Sequence, residues 1–419
     1  MTEIETTPSI EADLGRLRDH PDFARFWCAR AASGLAYQIY AVAVGWRVYA
    51  LTHSPTMLGL IGLVQYLPMV AVTLAAGVVA DRYNRRVVAA MCQLTAGVDG
   101  LVLALIALLG RDTVPLIFTL VALVGGVRSF EMATVSSMLP SLVPASVFPR
   151  AVAASTSANQ TASIVGPAVG GLLYAFGVAV PLATAGACSL LAAAMTFSLV
   201  TPRGVRGTKS GLREIFFGIR YIWHAQIVLG AISLDLFAVL LGGATALLPV
   251  YARDILHIGS GGLGLLRSAP AIGGLTASFL FTRFPIRRRV GGRMFAAVLV
   301  FGAATIVFGV SHSLPVSLVA LILLGAADMV SVTVRSGLVQ LRTPNEMRGR
   351  VSAVNALFIG TSNQLGEFES GVMAGWLGPV GSVVSGGVGT LVVALLWMKL
   401  FPGLRDADGI ERAPVEGTR

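Results

Sequence analysis

From Phe23 to Pro402 the chain is a succession of apolar runs separated by short polar or basic breaks. Each run is close to the roughly 20 residues that a helix needs to cross about 30 Å of hydrocarbon. The first set falls near 24–50, 56–80, 86–110, 114–138, 150–174 and 178–201, and the second near 224–250, 259–283, 291–311, 314–338, 350–376 and 379–401. The pattern therefore predicts an all-α polytopic membrane protein with twelve transmembrane helices. Polar tails are expected at 1–22 and 403–419, helical bundles over 23–201 and 221–402, and a linker at 202–220. That linker carries Arg203, Arg206, Lys209, Arg213 and Arg220; across its end Ile215, Phe216, Ile219 and Ile222 share one side, as in a helix lying in a membrane interface. The tail 1–22 lacks an apolar core ahead of a small-residue cleavage site, so no cleaved signal peptide is expected.

The two sets repeat at a constant offset of 200 residues, as Gly259 stands to Gly59. Gly62 and Gly262, Gly125 and Gly325, Gly166 and Gly366, Gly171 and Gly371 follow suit. Pro144/Pro344 and Arg150/Arg350 fall in the same connection of each half. Two pseudo-symmetric six-helix bundles related by duplication would produce this register, with a substrate site at the midplane between them.

Composition supports the same class. The 419 residues are 55% apolar and only 12% charged, with a mean hydropathy of +0.77; a soluble domain carries about twice that charge. A net charge of +10 could suggest nucleic acid, but the arginines flank apolar runs instead. They crowd the tails and alternate connections, while the opposite connections hold only Arg47, Arg111 and Arg253. By the positive-inside rule both termini are cytoplasmic. Cys28, Cys92 and Cys188 are scattered in apolar segments and predict free thiols, with neither a disulfide framework nor a metal site. The lysines are Lys209 and Lys399 alone, and no phosphate-binding Gly-x-x-x-x-Gly-Lys-Ser/Thr occurs. An ATP-driven pump is excluded for this chain, and neither enzyme chemistry nor a cofactor is expected.

Gly77-Val-Val-Ala-Asp-Arg-Tyr-Asn-Arg-Arg86 sits between the second and third runs. Gly77, Asp81, Arg82, Arg85 and Arg86 match the Gly-x-x-x-Asp-Arg-x-Gly-Arg-Arg signature, and the chain thereby resembles the major facilitator superfamily. Asn84 stands where that signature has Gly, and Asn tolerates the positive φ a turn there would need. The resemblance implies that this loop latches a transporter shut on its cytoplasmic side. The second bundle has Arg283-Phe-Pro-Ile-Arg-Arg-Arg289 at the matching place, without an acid, so the latch is asymmetric. In the fifth run Gly166, Pro167, Gly170 and Gly171 resemble the core of the family's antiporter motif, which favours export; equally, small residues and a proline are what close, bent helix packing needs. Together with Pro344 to Val351 and the 363–371 region, these features resemble the bacterial branch that holds enterobactin and macrolide exporters.

Ionisable groups at membrane depth are costly, about 2.5–3.5 kcal/mol each on insertion scales, unless a cavity or partner receives them. Arg30, Asp99, Arg128, Glu131, Asp235, Arg267, Asp328, Arg335, Glu367 and Glu369 are such groups. Arg30, Arg128, Glu131, Asp235, Asp328 and Arg335 fall on the first, fourth, seventh and tenth helices, which line the central cavity in the resembled fold. Arg128 and Glu131, three residues apart, can pair on one helical face, and Asp328 is the repeat counterpart of Arg128. Asp235 has no cation within a turn and is expected to meet Arg30 or Arg128 or to be neutral. Glu367 is expected to face the cavity and Gln38 to offer a hydrogen bond to substrate or, as single residues of this kind more often do, to make a packing contact between helices, while Arg267 is expected to snorkel.

These observations predict a monomeric secondary transporter of a bacterial inner membrane. It would exchange protons for a small amphipathic molecule, a drug or siderophore-like compound, by alternating access. An importer of an anionic metabolite or lysolipid, or a transporter-shaped receptor or lipid-handling protein, would share much of the pattern.

Overall fold

The computed structural model describes residues 20–144, 146–200, 212–284 and 288–408, with the backbone alone at a few positions, Asp81 among them. Both expected tails lie largely outside the described residues, as do 202–211 of the linker. Among the described residues every element is a helix. The first six are α1 (Pro21–Thr52), α2 (Pro55–Arg82), α3 (Arg85–Leu108), α4 (Val114–Leu142), α5 (Phe148–Tyr174) and α6 (Ala179–Phe197). Proline stands in the first turn of α1, α2, α4 and α5, where its missing N–H has no intrahelical role.

A short helix α7 (Leu212–His224) follows on the side of the termini. Its Ile222 is buried, whereas Ile219 and Trp223 are exposed; the side chains up to Phe216 are outside the described residues. The seventh run, expected as one helix over 224–250, is instead broken. α8 (Gln226–Leu241) stops at Gly242, a 3-10 turn spans Ala244–Leu247, α9 is Leu248–Val250, and a wide π turn occupies Tyr251–Ile255. Gly242, Gly243 and Pro249 supply the weak points. α10 (Gly259–Arg283), α11 (Val290–Val310), α12 (Leu314–Arg342), the long α13 (Asn345–Leu400) and α14 (Pro402–Arg405) complete the chain. α13 changes direction at Gly378, whose φ of 75 and ψ of 165 only glycine adopts without strain; its two parts are the expected eleventh and twelfth runs.

Nine stretches among the described residues are long and apolar enough to cross a membrane, one of them running through Gly378. α1 and α5 are long enough but more polar: α1 contains Arg30 within its span, with Arg25 and Arg47 nearer its ends, and α5 contains Ser155-Thr-Ser-Ala-Asn-Gln-Thr161. Such polarity at membrane depth fits helices that line an interior rather than face lipid.

α1 to α6 pack as one bundle, and α8 with α10 to α13 as another. The bundles meet along two seams, α2 on α13 and α5 on α10, and each seam carries one member of the repeat-related pair Gly371 and Gly171. A Cβ on Gly371 would stand 2.7 Å from the Gly59 Cα, and one on Gly171 would stand 3.0 Å from the Gly264 Cα. Backbone lies against backbone at both.

The apolar clusters show which side is closed. Away from the termini, Val42, Tyr49 and Leu58 of the first bundle share one cluster with Leu247, Leu248, Tyr251 and Leu263 of the second. On the side of the termini the clusters are separate. Phe23, Phe26, Met138 and Leu142 belong to the first bundle, and Ile222, Val228, Val339 and Val354 to the second. The space between the bundles therefore opens toward the face that bears the termini.

Candidate functional site

The central space has a volume of about 370 Å³ and is lined by Gln160 of α5, Asp235 of α8, Asp328 and Arg335 of α12, and Asn363 and Glu367 of α13. Asp235 and Arg335 form an ion pair at the root of this wall, with exposures of 5% and 2%. Arg335 therefore supplies the partner expected for Asp235 from the first bundle. The pairing joins positions far apart in sequence, which helical spacing cannot reveal. Asp328 is half-buried on the same face of α12, two turns away, and makes no hydrogen bond or ion pair with a described residue.

A second, smaller cavity of about 190 Å³ lies inside the first bundle. Glu131 is its anchor: it accepts from Ser33 Oγ at 2.6 Å, from Arg128 Nη1 at 3.0 Å and from Gln93 Nε2 at 3.1 Å. Gln93 in turn accepts from Thr196 at 2.7 Å. The Arg128 guanidinium lies over the ring of Tyr37, 4.5 Å from its centre. Arg30 lines the same cavity, and its Nε is buried without a partner. Arg30, Arg128 and Glu131, anticipated from sequence, thus come together within one bundle. Ser33, Gln93, Thr196 and Tyr37 were not anticipated. Ser33 and Tyr37 follow Arg30 at helical spacing, a signal α1 does carry; Gln93 and Thr196 carry none.

Gln38 and Arg267 take other places than the cavity and the boundary. Gln38 lines neither cavity: its Nε2 donates to Ser163 Oγ at 3.2 Å, tying α1 to α5. Arg267, expected to snorkel, instead lies within electrostatic range of Glu367 of α13 and Tyr37 of α1, one in each bundle. Glu367 reaches the α2 seam as well, its Cβ being 3.4 Å from where a Gly62 side chain would begin.

The seams explain the fifth-helix motif. Gly166 and Gly170 let α5 close on Gln38 and Ile39 of α1, while Pro167 and Gly171 abut Gly264 of α10. Cross-bundle hydrogen bonds reinforce the closure: Ser268 Oγ donates to the Ile164 carbonyl at 2.6 Å, and Thr56 Oγ1 to the Gly371 carbonyl at 3.3 Å. Tyr49 donates to Asp254, and Tyr66 pairs with Thr361.

In the Gly77 to Arg86 loop two arginines reach carbonyls elsewhere in the first bundle. Arg85 Nη1 donates to the Ser137 carbonyl at 3.0 Å, and Arg86 Nη1 to the Leu199 carbonyl. Both donate to carbonyls toward the carboxyl ends of α4 and α6, where the helix dipole is negative. Asn84 has a φ of −66, not a positive one, and its side chain accepts from the Arg86 N–H at 3.1 Å as the N-cap of α3. Arg82 is exposed, a Cβ on Gly77 would meet nothing within 4 Å, and the Asp81 side chain is outside the described residues.

Comparison with known proteins places this architecture. A family model described as "Transmembrane secretion effector" matches residues 14–416. Enterobactin exporters (EntS) of Shigella boydii serotype 4 and of Citrobacter koseri are each 26% identical to the chain over 395 residues, covering 94% of it and 95% of the relative. Among solved structures, a bacterial homologue of the human lysosomal transporter Spinster in an inward-facing, unoccupied conformation superimposes with a TM-score of 0.72 at 14% identity, over 94% of this chain and 98% of that one. A D-xylose-proton symporter does so with a TM-score of 0.69 at 14% identity, over 92% and 99%. With a multi-pass helical fold in two bundles, a polar space between them and a family match along nearly its whole length, the chain belongs to the transmembrane secretion effector family of the major facilitator superfamily and is a secondary transporter, not an enzyme.

Proposed function

We propose that the chain is a proton-driven exporter of a small amphipathic molecule, siderophore-like in character, in a bacterial inner membrane with both termini in the cytoplasm. Asp328 is the observation that carries this. It is an acid at membrane depth, on the wall of the space between the bundles, with no described cation to hold its charge. The neighbouring Asp235 is committed to Arg335, and Glu131 to three donors in the other bundle. Asp328 is free to gain and lose a proton as the space turns from one face to the other. Export is supported by the named activity of the relatives and by the basic connections on the side of the termini. On that orientation the space faces the cytoplasm, where an exporter loads. Asp81, Arg82, Arg85 and Arg86 would then act as the latch of the opposite state.

Everted vesicles energised with an inside-acid gradient test this, with enterobactin as the first cargo. Added cargo is expected to draw protons out of wild-type vesicles, and Asp328→Asn to abolish both cargo uptake and the proton signal at an unchanged amount of folded protein. Unaltered pH-dependent transport in Asp328→Asn would refute the assignment.

A further inference from the structure

The arginines at membrane depth are not equally matched. Arg335 has Asp235, Arg267 has Glu367 within electrostatic reach, and Arg128 has Glu131 at 3.0 Å. Arg30 has no carboxylate of its own: it feels the repulsion of Arg128 and shares the attraction of Glu131. Two guanidiniums against one carboxylate leave the cavity of the first bundle with one positive charge in excess. An unneutralised charge in such a place is costly, and an anion from outside would relieve it.

The geometry suits a planar oxyanion. The Arg30 Nε is buried and unpartnered, and the hydrogen bonds of Arg128 all leave from Nη1, so its Nε and Nη2 have no partner among the described residues. Guanidinium edges of this kind hold carboxylates through paired N–H donors. Asn159 lines the same space and is exposed to it. The volume of about 190 Å³ is several times the ~30 Å³ a water occupies in the liquid. It takes an acid group with a ring attached, and the remainder of a larger molecule would extend between the bundles. Phe26 and Met138, toward the ends of α1 and α4 on the side of the termini, give it an apolar wall.

We propose that this cavity is the anchoring subsite for an acidic cargo, holding a carboxylate or similarly planar oxyanion between Arg30 and Arg128. The proposal rests on the transporter reading above and names the chemical class of what is transported. It also divides the work: the anion is held in the first bundle, and the titrating acid, Asp328, stands in the second.

Binding of benzoate and of its neutral analogue benzamide to the full chain in nanodiscs, measured by calorimetry near neutral pH, tests the subsite. Benzoate is expected to bind at least tenfold more tightly than benzamide, and Arg30→Gln to erase that preference. Equal affinity for the two probes, or a preference untouched by Arg30→Gln, would overturn the proposal. Should Arg30→Gln fail to fold, Arg30→Lys serves instead, since it keeps the charge and removes the fork; benzoate affinity is expected to fall severalfold, and an unchanged value would be as damaging. Benzoate binding needs no gradient, so Asp328→Asn should retain it. Loss of the exporter reading and loss of the subsite are therefore separate results.

Discussion

The seam between α2 and α13 permits a quantitative prediction. Gly371 faces Gly59 so closely that a single added methyl would lie 2.7 Å from the Gly59 Cα, 2.8 Å from its nitrogen and 2.9 Å from the Pro55 carbonyl oxygen. All three are backbone atoms, so no rotamer change can make room. The bundles must part by several tenths of an ångström, and Gly371→Ala carries an overpacking cost of about 1–3 kcal/mol in this state. The alternate state, in which this seam must separate, bears none of it. A difference of that size changes the ratio of the two states by roughly 5–150-fold. The readout is thiol labelling of Leu263→Cys, a position now fully buried in the shared cluster, by an impermeant maleimide applied from the face opposite the termini. Gly371→Ala is expected to raise the labelling rate in that range, while Gly292→Ala, where an added Cβ meets nothing within 4 Å, leaves it unchanged. A labelling rate identical in Gly371→Ala and wild type would refute the view that the glycine contact holds this side shut.

Two further outcomes are expected. Asp235→Leu or Arg335→Met alone should cost about 3–5 kcal/mol by stranding a buried charge, whereas the apolar double replacement Asp235→Leu/Arg335→Met should recover most of the loss; a thermal-unfolding double-mutant cycle with no coupling would count against the pair. Gly378→Ala, at a φ of 75, should destabilise the chain by about 1–3 kcal/mol, visible as a lower Tm, and an unchanged Tm would show that the turn between the two parts of α13 adapts freely.

Much of the architecture was legible because it depends on bulk properties. Run length and hydropathy marked out the helices, and the 200-residue offset foretold that Gly171 and Gly371 would occupy equivalent places, as they do at the two seams. The site was legible only where partners are near in sequence. Arg128 and Glu131, a turn apart, were found as a pair, whereas Asp235 and Arg335 lie in different helices that are apolar nearly all round, so nothing in their spacing disclosed the contact. Arg267 misled for the same reason: its depth along α10 was readable, but the side it turns, toward Glu367, was not. The broken seventh helix was hidden by a continuous apolar run, in which Gly242 and Gly243 look no different from the many glycines that helices of this kind tolerate.

The shared apolar cluster around Tyr49, Leu248 and Leu263 has a bearing on the resting state of the carrier. Swinging to the other orientation drags this grease plug apart and wets it, and the counterpart patches near Phe26 and Val354 must meet to make up the deficit. An empty carrier thus trades one apolar seal for the other at each swing, and a load that binds one orientation more tightly tips the balance.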